Sequence, residues 1–311
     1  MAIPPVFHWV WLGPEPVPDQ HLGWIDGWLA AHPAWRGRVW RDADLPPLRN
    51  QAVFDTSPSW AQRADVVRYE ILLDHGGVYL DTDMECVLPV GPLLKGVDAF
   101  AGEERPGYLG NAILGCRPGH PWMAAVVHAL PTAAAERFLV LDQTGPGFLT
   151  EVTSGRDDVT VFPSEVFYPF ASTDLVRAGS VGPRCHGIHH FEKSWAASEC
   201  DRICAAAVAA LDPLVPDGAR FVLVGGGLTI ELPRRHAVPF VERDGEDWGP
   251  PGDDEQALAE LDRQRAAGVQ WFAFLPTGAW WLEHYRALAE ALRGAARQQR
   301  EDETIAVFYL P

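Results

Sequence analysis

Short β-branched and aromatic runs alternate with helical stretches along the chain, and that alternation confines the fold to a mixed α/β architecture. The first run, Pro5 to Trp11 (PVFHWVW), stops at Leu12-Gly13-Pro14, so it reads as a buried strand ending in a tight loop. A helix capped by Asp19 follows, carrying Leu22, Ile25 and Leu29 along one side and Trp24 and Trp28 at i, i+4, and ending before His32-Pro33. Both tryptophans read as core. Val39-Trp40 is a second strand, and Asp42 to Pro58 is a loop with room for a short helix. Ser59 caps the next helix, Trp60 to Asp74, with Ala64, Val67 and Ile71 as its apolar stripe and Gly76-Gly77 as its stop. Val78-Tyr79-Leu80 then returns as a strand. The Ala112 to Cys116 strand, the Pro121 to Leu130 helix, a loop around Thr144 to Gly147 and the Val159 to Phe162 strand continue the pattern.

A chain of 311 residues, 47% hydrophobic, has the length of about two domains. The Ala-rich stretch near 200–215, with Leu211-Asp212-Pro213 and Pro216-Asp217-Gly218, marks a connection. It divides the chain into residues 1–205 and a smaller α/β domain, residues 206–311. Phe221 to Val224, Asp254 to Ala267, Val269 to Leu275, Ala279 to Arg293 and Thr304 to Leu310 form a β, α, β, α, β series, which predicts a mainly parallel sheet. Glu242 to Asp262 holds nine acidic residues and a single arginine, the pattern of a solvated, mobile face. Gly225-Gly226-Gly227 follows a strand but lacks the G-x-G-x-x-G spacing of a dinucleotide site.

Charge narrows the partners. Lys+Arg 25 against Asp+Glu 42 leaves a net charge of −17, which repels nucleic acid and anionic lipid. An anionic ligand on such a protein needs a local positive centre, and a bound cation supplies one. The five cysteines lack C-x-x-C spacing and read as reduced thiols. The N-terminus carries no signal-peptide pattern and no run reaches the ~20 apolar residues of a membrane span, so the expectation is a cytoplasmic protein with no integral membrane segment.

Asp81-Thr82-Asp83 stands where the Val78-Tyr79-Leu80 strand ends. Carboxylates at i, i+2 leave a strand on the same side and can share one ligand. Oxygen ligation suits Mg²⁺ or Mn²⁺, which bridge carboxylates to phosphate oxygens. Asp65 and Arg68, at i, i+3 on the preceding helix, act as a pair.

The segment Asp65, Arg68, Tyr69, Glu70, Gly76-Gly77-Val78-Tyr79-Leu80-Asp81-Thr82-Asp83 resembles the DXD-containing sugar-binding region of glycosyltransferase family 32 and of the related large clostridial glucosylating toxins. The resemblance spans Ile3 to Trp195 and is most specific over Ala64 to Asp83. It implies a GT-A fold, a Rossmann-like sheet that holds a nucleotide-sugar donor at the carboxyl ends of its strands, and a reaction that retains anomeric configuration. By the same resemblance Trp11 stacks on the donor base, Asp65 and Arg68 contact the sugar and phosphates, Tyr79 and Asp81 line the ribose and sugar, and Asp83 is the direct metal ligand. Asn111 matches a position near the transferred sugar.

His190, Ser194 and Trp195 resemble the family's late His-x-x-x-Ser-Trp element, which closes over the diphosphate. His190 is then a third metal ligand beside Asp81 and Asp83, with Ser194 and Trp195 donating to phosphate oxygens; the adjacent His189 competes for the same assignment. No side chain stands out as a covalent nucleophile, so front-face attack follows from the family. Residues 280–285 (WWLEHY) resemble part of a small α/β module appended to bacterial glycosyltransferases. The expected function is metal-dependent transfer of a hexose or N-acetylhexosamine from a UDP- or GDP-sugar to an acceptor that is a glycan, a lipid-linked molecule, a protein or a small natural product. A noncatalytic nucleotide-sugar-binding module and a nucleotide-sugar hydrolase are the alternatives.

Overall fold

The computed structural model describes residues 2–170, 181–192, 196–243 and 246–311, in two compact units, Met1–Trp195 and Ala196–Pro311. The division falls before residue 205 because the Ala-rich stretch read as a connection is itself a helix, Ala196–Leu211, of the second unit.

The first unit runs β1 (Val6–Val10), α1 (Asp19–Ala31), β2 (Arg36–Trp40), α2 (Gln51–Thr56), α3 (Trp60–His75), β3 (Gly77–Leu80) and β4 (Met84–Cys86). It continues with β5 (Ala99–Arg105), β6 (Tyr108–Cys116), α4 (Pro121–Glu136), α5 (Val140–Gln143), α6 (Pro146–Thr153), β7 (Thr160–Phe162), α7 (Ser164–Phe167) and β8 (Gly187–His189). Six strands form one sheet in the order β2-β1-β3-β6-β5-β7. β1 is parallel to β2 and β3, with His8 opposite Tyr79, whereas β6 is antiparallel to β3, with Ile113 opposite Leu80. The carboxyl ends of β1 and β3 therefore lie beside the first half of β6. This is the α/β sheet that the strand and helix alternation predicts.

Both faces of the sheet are covered, which is why β3 reads as an unbroken apolar run. Tyr79 and Leu114 pack with Val66, Ile71 and Trp122 on one side, and Val78, Leu80 and Ile113 pack with Phe7, Ile25 and Trp28 on the other. Helix α3 starts at Ser59, whose hydroxyl accepts the Gln62 N–H at 3.2 Å, and ends at Gly76. Gly76 and Gly77 have φ of 61° and 97°, and a Cβ on Gly76 would stand 2.5 Å from Pro118 Cδ, so the helix-to-strand turn accepts glycine alone. In α1 the buried face is His21, Ile25 and Trp28, while Leu22 is 42% exposed. The expected Leu22 stripe lost to the indole of Trp28, which is larger and donates to Met84 O at 2.8 Å. Asp19 is the first residue of the helix rather than its cap, and Pro18 occupies the cap position.

The second unit contains α8 (Ala196–Leu211), β9 (Arg220–Val224), β10 (His236–Val238), the hairpin β11 (Glu242–Arg243) and β12 (Glu246–Asp247), α9 (Asp254–Ala266), β13 (Trp271–Phe274), α10 (Trp281–His284), α11 (Arg286–Ala295), β14 (Gln298–Asp302) and β15 (Ile305–Tyr309). Its sheet has the order β10-β9-β13-β15-β14. β9 and β13 are parallel, as the βαβ order predicts, and β10, a strand the sequence reading lacked, is parallel to β9, but β15 runs antiparallel to β13. The cause is a strand absent from the sequence expectation: β14 forms a hairpin with β15 and reverses the chain before it returns to the sheet. The acidic Glu242 to Asp262 stretch is not wholly solvated, because Glu260 is 4% exposed and paired with Arg243 and Arg263. Trp281 and Tyr285 pack in the core of this unit, and Trp280 is exposed. All five cysteines are free thiols. Among the described residues no helix is long and apolar enough to cross a membrane.

Candidate active site at the carboxyl end of β3

The chain leaves β3 at Asp81, whose backbone N–H still bonds to Ala112 O of β6 at 2.7 Å, and turns at once into β4. β4 pairs antiparallel with β8, placing Met84 opposite His189, and His190 N–H reaches Asp83 O at 3.0 Å. Two segments distant in sequence are thus held against each other, and Asp81, Asp83 and His189 come together with one ligand atom each, all within 4.8 Å of one another.

One oxygen of each aspartate is already engaged. Asp81 Oδ1 accepts from Tyr79 Oη at 2.6 Å and lies 3.1 Å from Arg68 Nη2. Asp83 Oδ2 accepts the Glu192 N–H at 2.9 Å. The remaining oxygens, Asp83 Oδ1 and Asp81 Oδ2, lie 3.3 and 4.0 Å from His189 Nε2. Burial alone would raise the Asp83 carboxyl, but the adjacent His189 and the Glu192 N–H outweigh it and hold it down to about 2. Burial likewise pushes His189 toward neutrality, and the Asp83 carboxylate reverses that and raises it.

Behind this cluster sits Arg68, 4% exposed, with its guanidinium over the Tyr79 ring at 4.5 Å. It bonds to Asp65 Oδ1 at 2.9 Å and donates to Asn111 O at 2.7 Å as well as holding Asp81. The carboxyl of Asp65 also accepts from Asn111 Nδ2 at 2.9 Å and from Thr144 Oγ1 at 2.7 Å. Burial lifts Asp65 to about 6, against the opposing pull of Arg68 and Thr144. Asp65, Arg68 and Asn111 therefore form a buried frame that aims Asp81. Arg68 pairs with Asp65 and Asp81 while Asp83 lies against His189, so a cation held by Asp81 and Asp83 would add positive charge to an acidic group.

The group fits a divalent ion. An octahedral ion with bonds of ~2.1 Å puts neighbouring ligand atoms about 3 Å apart and opposite ones about 4 Å apart, and the two carboxylate oxygens lie 3.3 and 4.0 Å from His189 Nε2. His189 Nδ1 is buried without a hydrogen-bond partner among the described residues, so Nε2 is the nitrogen turned to the cluster.

His189, and not His190, joins the carboxylates. β-strand alternation turns neighbouring side chains to opposite sides, and His190 instead bonds to Glu85 Oε2 at 2.9 Å and stacks on Trp24 at 4.3 Å. Trp11 follows β1, half-buried, with its indole N–H on Glu15 O at 2.9 Å and its ring edge-on to His21. Ser194 and Trp195 lie outside the described residues. Sequence reasoning missed Thr144, His21 and Glu192. Thr144 sits in a stretch read as a loop, and the Glu192 contact comes from its backbone, which leaves no trace in residue type.

The family described as "Glycosyltransferase sugar-binding region containing DXD motif" matches residues 18–100. Inositol phosphoceramide mannosyltransferase 3 of Schizosaccharomyces pombe is 33% identical over 165 residues, 49% of this chain and 45% of that protein. Mannosyl phosphorylinositol ceramide synthase CSH1 of Saccharomyces cerevisiae is 29% identical over 163 residues, 48% of this chain and 42% of that one. The chain thus spans under half the length of these curated relatives. Among solved structures, a PaToxG glycosyltransferase is similar with a TM-score of 0.41 at 16% identity, over 49% of this chain and 68% of that one. Residues 18–100 are thus similar to a glycosyltransferase sugar-binding region, and Asp81-Thr82-Asp83 lies within the match with the spacing of its DXD motif.

Proposed function

We propose that the first unit is a GT-A nucleotide-sugar glycosyltransferase that moves a hexose or N-acetylhexosamine from a UDP- or GDP-sugar to an acceptor hydroxyl with retention of configuration. The observation that carries this reading is the convergence of Asp81, Asp83 and His189 beside the Asp65/Arg68 frame, with both aspartates inside the stretch that matches a sugar-binding region. Mannose is the first sugar to try, because the yeast relatives are named for mannosyl transfer.

Asp81, Asp83 and His189 would hold Mn²⁺ or Mg²⁺, with the imidazole favouring Mn²⁺. When bound, the ion supplies positive charge for the diphosphate that departs. The chain's own residues supply orientation. Arg68 and Tyr79 fix the Asp81 carboxylate from behind, so its free oxygen needs no reorganisation as charge develops. Trp11, at the end of β1, offers a half-buried indole to the donor base. The acceptor hydroxyl attacks on the face the leaving phosphate vacates, and that phosphate takes the proton.

The test is product analysis. The protein is incubated with Mn²⁺ and UDP- or GDP-hexoses, with and without candidate acceptors, and released nucleoside diphosphate and sugar products are quantified. Diphosphate release that rises with acceptor and yields a glycosylated product supports transfer. Equal release with free sugar alone points to a hydrolase, and donor binding without turnover points to a binding module.

A further inference from the structure

Resting on the reading of Asp81, Asp83 and His189 as a cation site, we propose that His21 is a positioning residue that presets this triad before any cation arrives. His21 lies on α1, 5% exposed, and its ring spans two segments. Nε2 is 2.7 Å from Glu192 Oε2, and Nδ1 is 2.9 Å from Thr82 Oγ1. The carboxylate accepts, so Nε2 carries a proton and donates to it, while Nδ1 shares a hydrogen bond with the Thr82 hydroxyl, which can donate or accept.

Thr82 is the middle residue of the aspartate turn. Glu192 stands three residues after His189, and its backbone N–H binds Asp83 Oδ2 at 2.9 Å. The bonds close a ring, from the His21 imidazole to Thr82, along the backbone to Asp83, across to Glu192 N–H and back through the Glu192 side chain. This ring ties together the two segments that bring ligands, in addition to the short β4–β8 pairing.

Phe191 gives an independent sign that the tie is under tension. Its φ is 53°, a left-handed conformation that a bulky side chain adopts only where surrounding contacts enforce it. That conformation turns Glu192 back toward the aspartate turn. His190 N–H on Asp83 O at 3.0 Å fixes the chain before Phe191, and the His21 and Asp83 bonds to Glu192 fix it after, so the strained residue sits between fixed points.

The experiment measures Mn²⁺ affinity of the full chain without nucleotide, by the electron paramagnetic resonance signal of free Mn²⁺, together with Tm. The variants are His21→Ala, His21→Gln and Glu192→Ala. Outer partners of metal ligands typically contribute about 10–100-fold to affinity. His21→Ala and Glu192→Ala are expected to weaken Mn²⁺ binding about tenfold or more. His21→Gln, whose amide can donate to Glu192 and accept from Thr82, is expected to restore most of it. Because the Glu192 side chain is 47% exposed, Glu192→Ala keeps the fold and guards against a His21→Ala that does not fold. Affinity within twofold of wild type in Glu192→Ala, or Gln no better than Ala at position 21, overturns the proposal while leaving the cation site standing. Failure of the wild type itself to bind Mn²⁺ overturns the cation site and the proposal with it.

Discussion

Arg68→Met removes the one cation of the buried frame while keeping a side chain of comparable length. The guanidinium is 4% exposed and touches Asp65 at 2.9 Å, Asp81 at 3.1 Å and Asn111 O at 2.7 Å, so its loss strands a buried carboxylate and a carbonyl. Breaking a buried ion pair from one side costs about 3–5 kcal/mol. In a unit of this size each kcal/mol moves Tm by about 2–4 °C, so the transition of the first unit should fall by about 6–20 °C. Much of that loss is the stranded charge, and Asp65→Asn in the same background should recover a large part of it. The loss should also depend on pH. Asp65 already sits at about 6, above an ordinary carboxyl, so the folded state gains from its protonation at low pH and loses that gain as pH rises through 6. Without Arg68 the carboxyl climbs further, and the deficit should be larger at pH 8 than at pH 5. Calorimetric scans of the three proteins at both pH values decide it. A shift under about 2 °C, or an Asp65→Asn that deepens the loss, refutes the frame as a source of stability.

Two further outcomes follow from individual contacts. His189→Ala should abolish Mn²⁺-dependent stabilisation while His190→Ala retains it, since His190 is bonded to Glu85 and stacked on Trp24; thermal melts with and without Mn²⁺ test this, and the reverse order contradicts the assignment. His8 accepts from Trp40 Nε1 at 3.1 Å and donates to Gly76 O at 3.0 Å, so a second proton on its ring breaks the Trp40 bond. Burial lowers His8 to about 4, against the pull of the Gly76 carbonyl, so stability is present above about pH 6.5 and is lost as pH falls toward 4, by up to about 3 kcal/mol. His8→Gln should flatten that part of the Tm profile, and an unchanged slope contradicts the assignment.

The strands and helices that position the site were largely legible because each is bounded by residues with one local meaning. Ser59 caps α3, Gly76-Gly77 end it at positive φ, and the unbroken run Val78-Tyr79-Leu80 records burial on both faces. Asp81 and Asp83 were legible because they directly follow an apolar strand, although a turn closed by the Met84 N–H on Asp81 O at 3.1 Å, rather than strand alternation, brings their carboxylates together. The choice between His189 and His190 was not, since it depends on the register of β4 against β8, two three-residue strands with nothing in their composition to fix it. His21 looked like an ordinary helix position, and its role appears only when α1 is packed across the aspartate turn. The reversed β15 had the same cause, a hairpin whose first strand, Gln298–Asp302, is fully polar and reads as a loop.

The most direct test of the site is thermal stability with UDP and with GDP, each with Mn²⁺ or with EDTA, in wild type and in Asp83→Ala. Ligand at about 100 times its Kd stabilises the native state by about 2.7 kcal/mol, or about 5–10 °C for a unit of this size. Stabilisation by one nucleotide, present with Mn²⁺ and lost with EDTA and in Asp83→Ala, is the predicted result. No shift with either nucleotide at several millimolar, or an equal shift in Asp83→Ala, contradicts a metal-held diphosphate at the end of β3.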